Sequence, residues 1–158
     1  MAELFEVQEL VKVAIEDEKT GVAFYSKLAG KSQKLQDIFA QLAEEERGHQ
    51  KRFEAMLAGM GNYKSAEQYP GEYMEYLRTL TENRAFPDEQ TAMRRAEECA
   101  DDAAALDLAS RFERDTLILM NEMRSLVPDK DRAVVDELAS EEQGHLVTLA
   151  GAREKLHP

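Results

Sequence analysis

The eight residues LAEEERGH at 42–49 return as LASEEQGH at 138–145, identical at six of eight positions with an offset of 96. An internal repeat of this kind divides the chain into two similar halves and is the first thing a fold must satisfy. The segment before each copy aligns as well: Ala14-x-x-x-Glu18-Lys19 matches Ala109-x-x-x-Glu113-Arg114 at an offset of 95. Each half therefore carries one lone glutamate followed by one Glu-x-x-His.

Glycine and proline are scarce and confined to a few places, the mark of long helices. Leu4, Val7, Leu10, Val11, Ala14, Ile15, Val22, Tyr25 and Leu28 recur at helical spacing, predicting a first helix that stops at about Ala29, with Gly30 as its C-terminal signal. A second helix is expected from about Ser32 to Ala58, with Leu35, Ile38, Phe39, Leu42, His49, Phe53 and Met56 inward and Gly59-Met60-Gly61-Asn62 ending it. Residues 62–87 form a connector holding four of the five tyrosines, with a short helix expected around Glu72 to Leu80. Asp88 reads as the N-cap of a segment to about Ala100, which Asp101 or Asp102 breaks or re-caps. Two more long helices are expected, at about Ala103 to Leu126 and Asp131 to Lys155. No strand pattern occurs. The prediction is one all-α domain over residues 1–158, a four-helix bundle of two helix pairs joined by a long crossover. That order makes the second and third long helices parallel, with the connector returning along the outside.

On such helices, residues three apart share a face, so Glu46 with His49 and Glu142 with His145 address one centre. Glu18 and Glu113 come to it from the two facing helices. One Glu from each of two helices plus Glu-x-x-His from each of the other two is the ligand set that bundles use for di-iron and di-manganese centres. Charge balance agrees. Four carboxylates in an apolar bundle repel one another and lose hydration, at several kcal/mol apiece, unless something compensates them. Two divalent ions cancel the four charges. Oxygen and nitrogen donors without thiolate suit iron or manganese, and zinc also fits them. A third match, Glu154-x-x-His157, has no repeat partner and sits at the chain end beside Pro158, so it is read as accidental. Gly48 and Gly144 occupy equivalent places inside the motifs. They suggest close approach of a neighbouring helix or a path to the metals, or simple inheritance from the duplication.

The remaining features mostly exclude. A formal net charge of −12 repels phosphates, so nucleic acids and anionic membrane surfaces are set aside as partners. The single cysteine, Cys99, rules out an internal disulfide and any cysteine-rich zinc or iron site, and reads as a small core residue. The acidic start MAELFEVQEL has no signal-peptide core, and no apolar run approaches the roughly 20 residues that span a bilayer; a cytoplasmic location is expected.

The segments AIEDEKTGVAFY (14–25), AEEERGH (43–49), ASRFERDTLILM (109–120) and ASEEQGH (139–145) together resemble the rubrerythrin branch of the ferritin-like superfamily over nearly the whole chain. That resemblance implies a two-iron centre held by Glu18, Glu46, His49, Glu113, Glu142 and His145, with Glu46 and Glu142 bridging. It implies an oxidoreductase that reduces hydrogen peroxide or dioxygen, and a homodimer. Rubrerythrins proper add a four-cysteine rubredoxin domain, absent from this sequence, so electrons must come from an external donor such as a rubredoxin. They also place a carboxylate, which takes part in the iron movement linked to peroxide reduction, where this chain has Thr116. Tyr25, two turns after Glu18, either hydrogen-bonds a ligand carboxylate, serves redox chemistry or is an amphipathic core residue; its match in the second half is Met120. Two rival functions remain: iron storage of the bacterioferritin type, and a metal-stabilised helical module that binds a partner.

Overall fold

The computed structural model describes residues 6–64 and 71–157. Among these the chain forms six helices and no strands: α1 (Val7–Lys31), α2 (Gln36–Met60), α3 (Gly71–Glu82), α4 (Glu89–Glu98), α5 (Asp102–Met123) and α6 (Asp129–Leu156). The four long ones are α1, α2, α5 and α6, and the crossover holds α3 and α4. The expected start at Leu4 and the crossover residues Tyr69 and Pro70 lie outside the described residues.

The helix ends follow local chemistry. Asp88 caps α4 by accepting from the Thr91 N–H at 2.7 Å, and Asp101 caps α5 by accepting from the Ala104 N–H at 2.8 Å. Gly61 ends α2 at φ 55°, a left-handed conformation that glycine adopts without strain. Several boundaries differ from expectation by two to four residues, with α4 ending at Glu98, α5 ending at Met123 and α6 starting at Asp129, and two of the differences have a visible local cause. Gly30 does not stop α1, which continues to Lys31 and ends at an extended Ser32. There the Lys31 ammonium donates to the carbonyls of Ala96, Glu97 and Cys99, tying the end of α1 to the end of α4. Ser32 does not begin α2: its hydroxyl accepts from the Leu35 N–H at 3.0 Å in a turn that precedes the helix.

The core is two apolar clusters with a polar belt between them. One holds Leu10, Val11, Phe53, Met56, Leu119, Met123, Val135 and Leu138; the other holds Phe24, Leu28, Phe39, Leu42, Leu106, Ala109, Phe112 and Leu149. Helices α1 and α6 run from the first cluster to the second, while α2 and α5 run from the second to the first. The second and third long helices are therefore parallel, as the order of elements requires. The crossover carries the chain back between the two ends, with Leu77 in the first cluster and Phe86, Ala92 and Ala96 in the second. Its middle is pinned by Arg84, whose guanidinium donates to buried Asp17 on α1 at 2.6 Å, and by the Ala85 N–H, which donates to Asp115 on α5 at 3.0 Å. Burial pushes the Asp17 carboxyl up to about 7 against the pull of Arg84.

The motif glycines do not serve close packing. A Cβ at Gly48 or Gly144 would meet nothing within 4 Å, and both positions are exposed. Alanine at either site should stabilise the chain by roughly 0.5–1 kcal/mol, the helix propensity difference, measured as a higher denaturant midpoint. The close approach is at Gly21 instead. A Cβ there would lie 3.1 Å from Phe112 and 3.2 Å from the Glu46 side chain. Gly21→Ala should therefore lose that gain and displace Glu46, a contrast of sign within one set of melts.

Candidate metal centre

The belt between the two apolar clusters is where the repeat residues meet. Glu18 lies on α1, Glu46 and His49 on α2, Glu113 on α5, and Glu142 and His145 on α6. All six are buried, none more than 2% exposed. Each helix enters the belt between its two apolar stretches, so the periodicity that buries the leucines also turns these residues inward. Two overlapping four-residue donor sets result, Glu18, Glu46, His49 and Glu142, and Glu46, Glu113, Glu142 and His145, beside a three-residue group of His49, Glu142 and His145. Within each set one donor atom per residue lies within 4.8 Å of the others. Glu46 and Glu142 belong to both.

The two imidazoles stack across the belt, ring centroids 5.3 Å apart and planes within 14°. Both turn Nδ1 inward. His49 Nδ1 lies 2.9 Å from Glu142 and 3.3 Å from Glu46, while His145 Nδ1 lies 2.8 Å from Glu142 and 3.4 Å from Glu113. Both turn Nε2 outward to a carboxylate on the opposite helix. His49 on α2 meets Glu141 of α6 at 2.7 Å, and His145 on α6 meets Glu45 of α2 at 2.8 Å. In the metal-free protein the inner Nδ1 also faces carboxylates, and with Nε2 held outward by Glu45 or Glu141, release of the Nδ1 proton would leave the lone pair that a metal ligand needs. Tyr25, fully buried, donates its hydroxyl to Glu113 across the bundle and packs by Phe39 and Phe112. Of the roles open to it from sequence, the structure shows both a core ring and a hydrogen bond to the centre.

Electrostatics test whether cations fit. Both oxygens of Glu18, both of Glu46, and one oxygen each of Glu113 and Glu142 are buried without a hydrogen bond. Buried anionic oxygens are rarely left so, because each forfeits hydration. Burial and the charges of Glu46 and Glu142 push the carboxyls of Glu18 and Glu113 well above the usual range. Burial would lift Glu46 too, but contacts with Glu18 and the two imidazoles outweigh it and hold Glu46 low. Burial alone would lower His49, yet Glu142 and Glu46 raise it to about 10, and Glu113, Glu142 and Glu46 likewise raise His145. In the protein by itself, protons thus supply the positive charge that the cluster demands. Divalent ions fit the same demand with better-placed charge. Metal uptake must displace these protons, so it should acidify a weakly buffered solution. Because His49 holds its proton to about 10, apparent affinity should keep rising above pH 7, where an ordinary imidazole would have levelled off. A pH series of metal titrations with a proton-sensitive dye reads both effects.

The family model described as Rubrerythrin matches residues 9–153. The chain belongs to the rubrerythrin family. No curated protein and no solved structure matches it. Among the described residues of this rubrerythrin-family chain, no helix is long and apolar enough to cross a membrane.

Glu45, Glu141 and Gly21 of this family member's centre have roles that the sequence pattern does not show. Glu45 and Glu141 are equivalent in the repeat and identical, which was the available signal; their reach across to the other half's histidine was not. Gly21 and Thr116 are also equivalent, each one turn beyond the lone glutamate. Thr116 is buried, with a hydroxyl that has no hydrogen-bond partner, where the rubrerythrin resemblance places a further carboxylate. Glu154 and His157, the third motif match, are exposed and belong to neither donor set.

Proposed function

We propose that the chain is a di-iron oxidoreductase that reduces hydrogen peroxide or dioxygen, with electrons from an external donor such as a rubredoxin. The observation that carries this reading is the pair of buried donor sets sharing Glu46 and Glu142. Glu18 and His49 would complete one metal position, and Glu113 and His145 the other. Two ferrous ions held there supply two electrons, which with two protons take one hydrogen peroxide to two waters.

The chain's own residues set the conditions for that chemistry. The apolar clusters on either side of the belt keep bulk water from the centre. Glu45 and Glu141 fix the two imidazoles with Nδ1 inward. The Tyr25 hydroxyl, raised well above its usual range by burial and by Glu113, keeps its proton on the phenol oxygen and holds one Glu113 oxygen in place. Glu45 and Glu141 themselves are 42% and 50% exposed at the side chain, so the outer edge of each imidazole is where the centre comes nearest to solvent.

Stopped-flow mixing of the anaerobic di-ferrous protein with hydrogen peroxide tests the proposal. Oxidation faster than that of free ferrous ion at the same pH supports it, and equal rates overturn it. A homodimer belongs to the same reading. It predicts elution at twice the 17.9 kDa chain mass, whereas a cage-sized species would favour iron storage.

A further inference from the structure

The duplication kept the six ligand types and changed the groups that hold them. Glu141 carries His49 Nε2 on one oxygen and the Arg52 guanidinium on the other, at 2.7 and 2.9 Å. Arg52 is in turn held by Glu137 at 2.7 Å. This is a charge-assisted clamp between α2 and α6. Glu45 carries His145 Nε2 on one oxygen, but its other oxygen receives only the neutral amide of Gln41 from the same helix, each at 2.8 Å. At the offset of 96, Gln41 corresponds to Glu137 and Arg52 to Thr148, so the halves differ at the backing groups. The lone glutamates are unequal as well. Glu18 has two oxygens free of hydrogen bonds, while Glu113 gives one of its oxygens to Tyr25.

Both differences have the same sign. A histidine ligand whose outer N–H meets a firmly anchored carboxylate is better oriented. A carboxylate with both oxygens free offers all of its lone pairs to a metal, and one that accepts from a phenol offers fewer. We propose that the two metal positions are unequal by construction. The Glu18–His49 position fills first and binds more tightly, and the Glu113–His145 position fills second because Gln41 and Tyr25 stand where they do. Arg52 and Tyr25 act as positioning residues that set the order. The inference rests on the metal-centre reading above and deepens it.

Anaerobic titration of the metal-free protein with cobalt(II), followed by its visible absorption, separates the two ideas. The expected result is two ions per chain in two resolved steps, the first at least about tenfold tighter, the lower end of what outer-shell partners contribute. Arg52→Gln should weaken the first step and leave the second. Tyr25→Phe, by freeing the second Glu113 oxygen, should strengthen the second step and narrow the gap. Thermal melts of each metal-free variant establish that it is folded. Uptake of both ions with one affinity, or a gap that neither variant alters, overturns the inequality while leaving the centre intact. Uptake of fewer than two ions overturns the centre itself, and the inequality with it.

Discussion

Glu142→Ala should strip both metal ions from the protein, whereas Glu18→Ala should strip one. Glu142 stands in both donor sets and lies 2.9 Å from His49 and 2.8 Å from His145. Glu18 stands in one. Loss of an outer-shell partner already weakens a metal site by about 10–100-fold, so loss of a shared ligand should exceed about 100-fold at each position. Glu46→Ala should behave like Glu142→Ala for the same reason, and Glu113→Ala like Glu18→Ala. Metal analysis after desalting, reported as ions per chain, reads the pattern directly. A centre that lost equal amounts in all four variants would not be built on two shared carboxylates. Glu18→Ala and Glu113→Ala should leave the metal-free chain folded, because each removes a buried carboxyl that Glu46 and Glu142 repel. Melts of metal-free Glu46→Ala and Glu142→Ala, which also lose an imidazole partner, establish that those two are folded.

Metal should also be a large part of the folded state's stability. An ion present at a thousand times its dissociation constant adds about 4 kcal/mol, so two ions add about 8 kcal/mol. For a chain of this length, roughly 2–4 °C per kcal/mol gives a rise in melting temperature of about 15–30 °C. The rise should be halved in Glu18→Ala and vanish in Glu142→Ala, measured by circular dichroism with and without ferrous iron or manganese under anaerobic conditions. Full metal stabilisation in Glu142→Ala would mean that the ions sit elsewhere. If the rise is seen but peroxide oxidises the iron no faster than free ferrous ion, the chain is a metal-stabilised bundle rather than an oxidoreductase.

Much of this was written in the sequence, and the parts that were not share a cause. The four long helices and the cap residues Asp88 and Asp101 were legible because they depend on neighbours a few positions away. The six residues that converge in the belt were legible because duplication repeats them and helical spacing aims them. What escaped were contacts between distant elements. Gly21 looks like any helical glycine until Phe112 and Glu46, from two other helices, press on its Cα. Arg52 is one surface arginine among several until α6 brings Glu137 and Glu141 beside it. For Gly48 and Gly144 the repeat leaves close packing, a path to the metals or simple inheritance open, and the open space around both excludes the first. The start of α2 lies four residues beyond Ser32, because the Ser32 hydroxyl first closes a turn by accepting from the Leu35 N–H, a contact that helical periodicity does not announce.

The crossed pairing of Glu45 with His145 and Glu141 with His49 has a meaning for ancestry. When one residue touches a second, and the second's counterpart touches the first's counterpart, the contact has the form of an isologous two-fold interface. Here that interface lies inside a single polypeptide. A single helical hairpin carrying one glutamate and one Glu-Glu-x-x-His would, paired with its own copy, assemble the entire set of donors and braces. Two copies within one chain are free to differ where two copies of one chain are not, and they do so at Gln41 and Glu137, Arg52 and Thr148, Tyr25 and Met120, and Gly21 and Thr116.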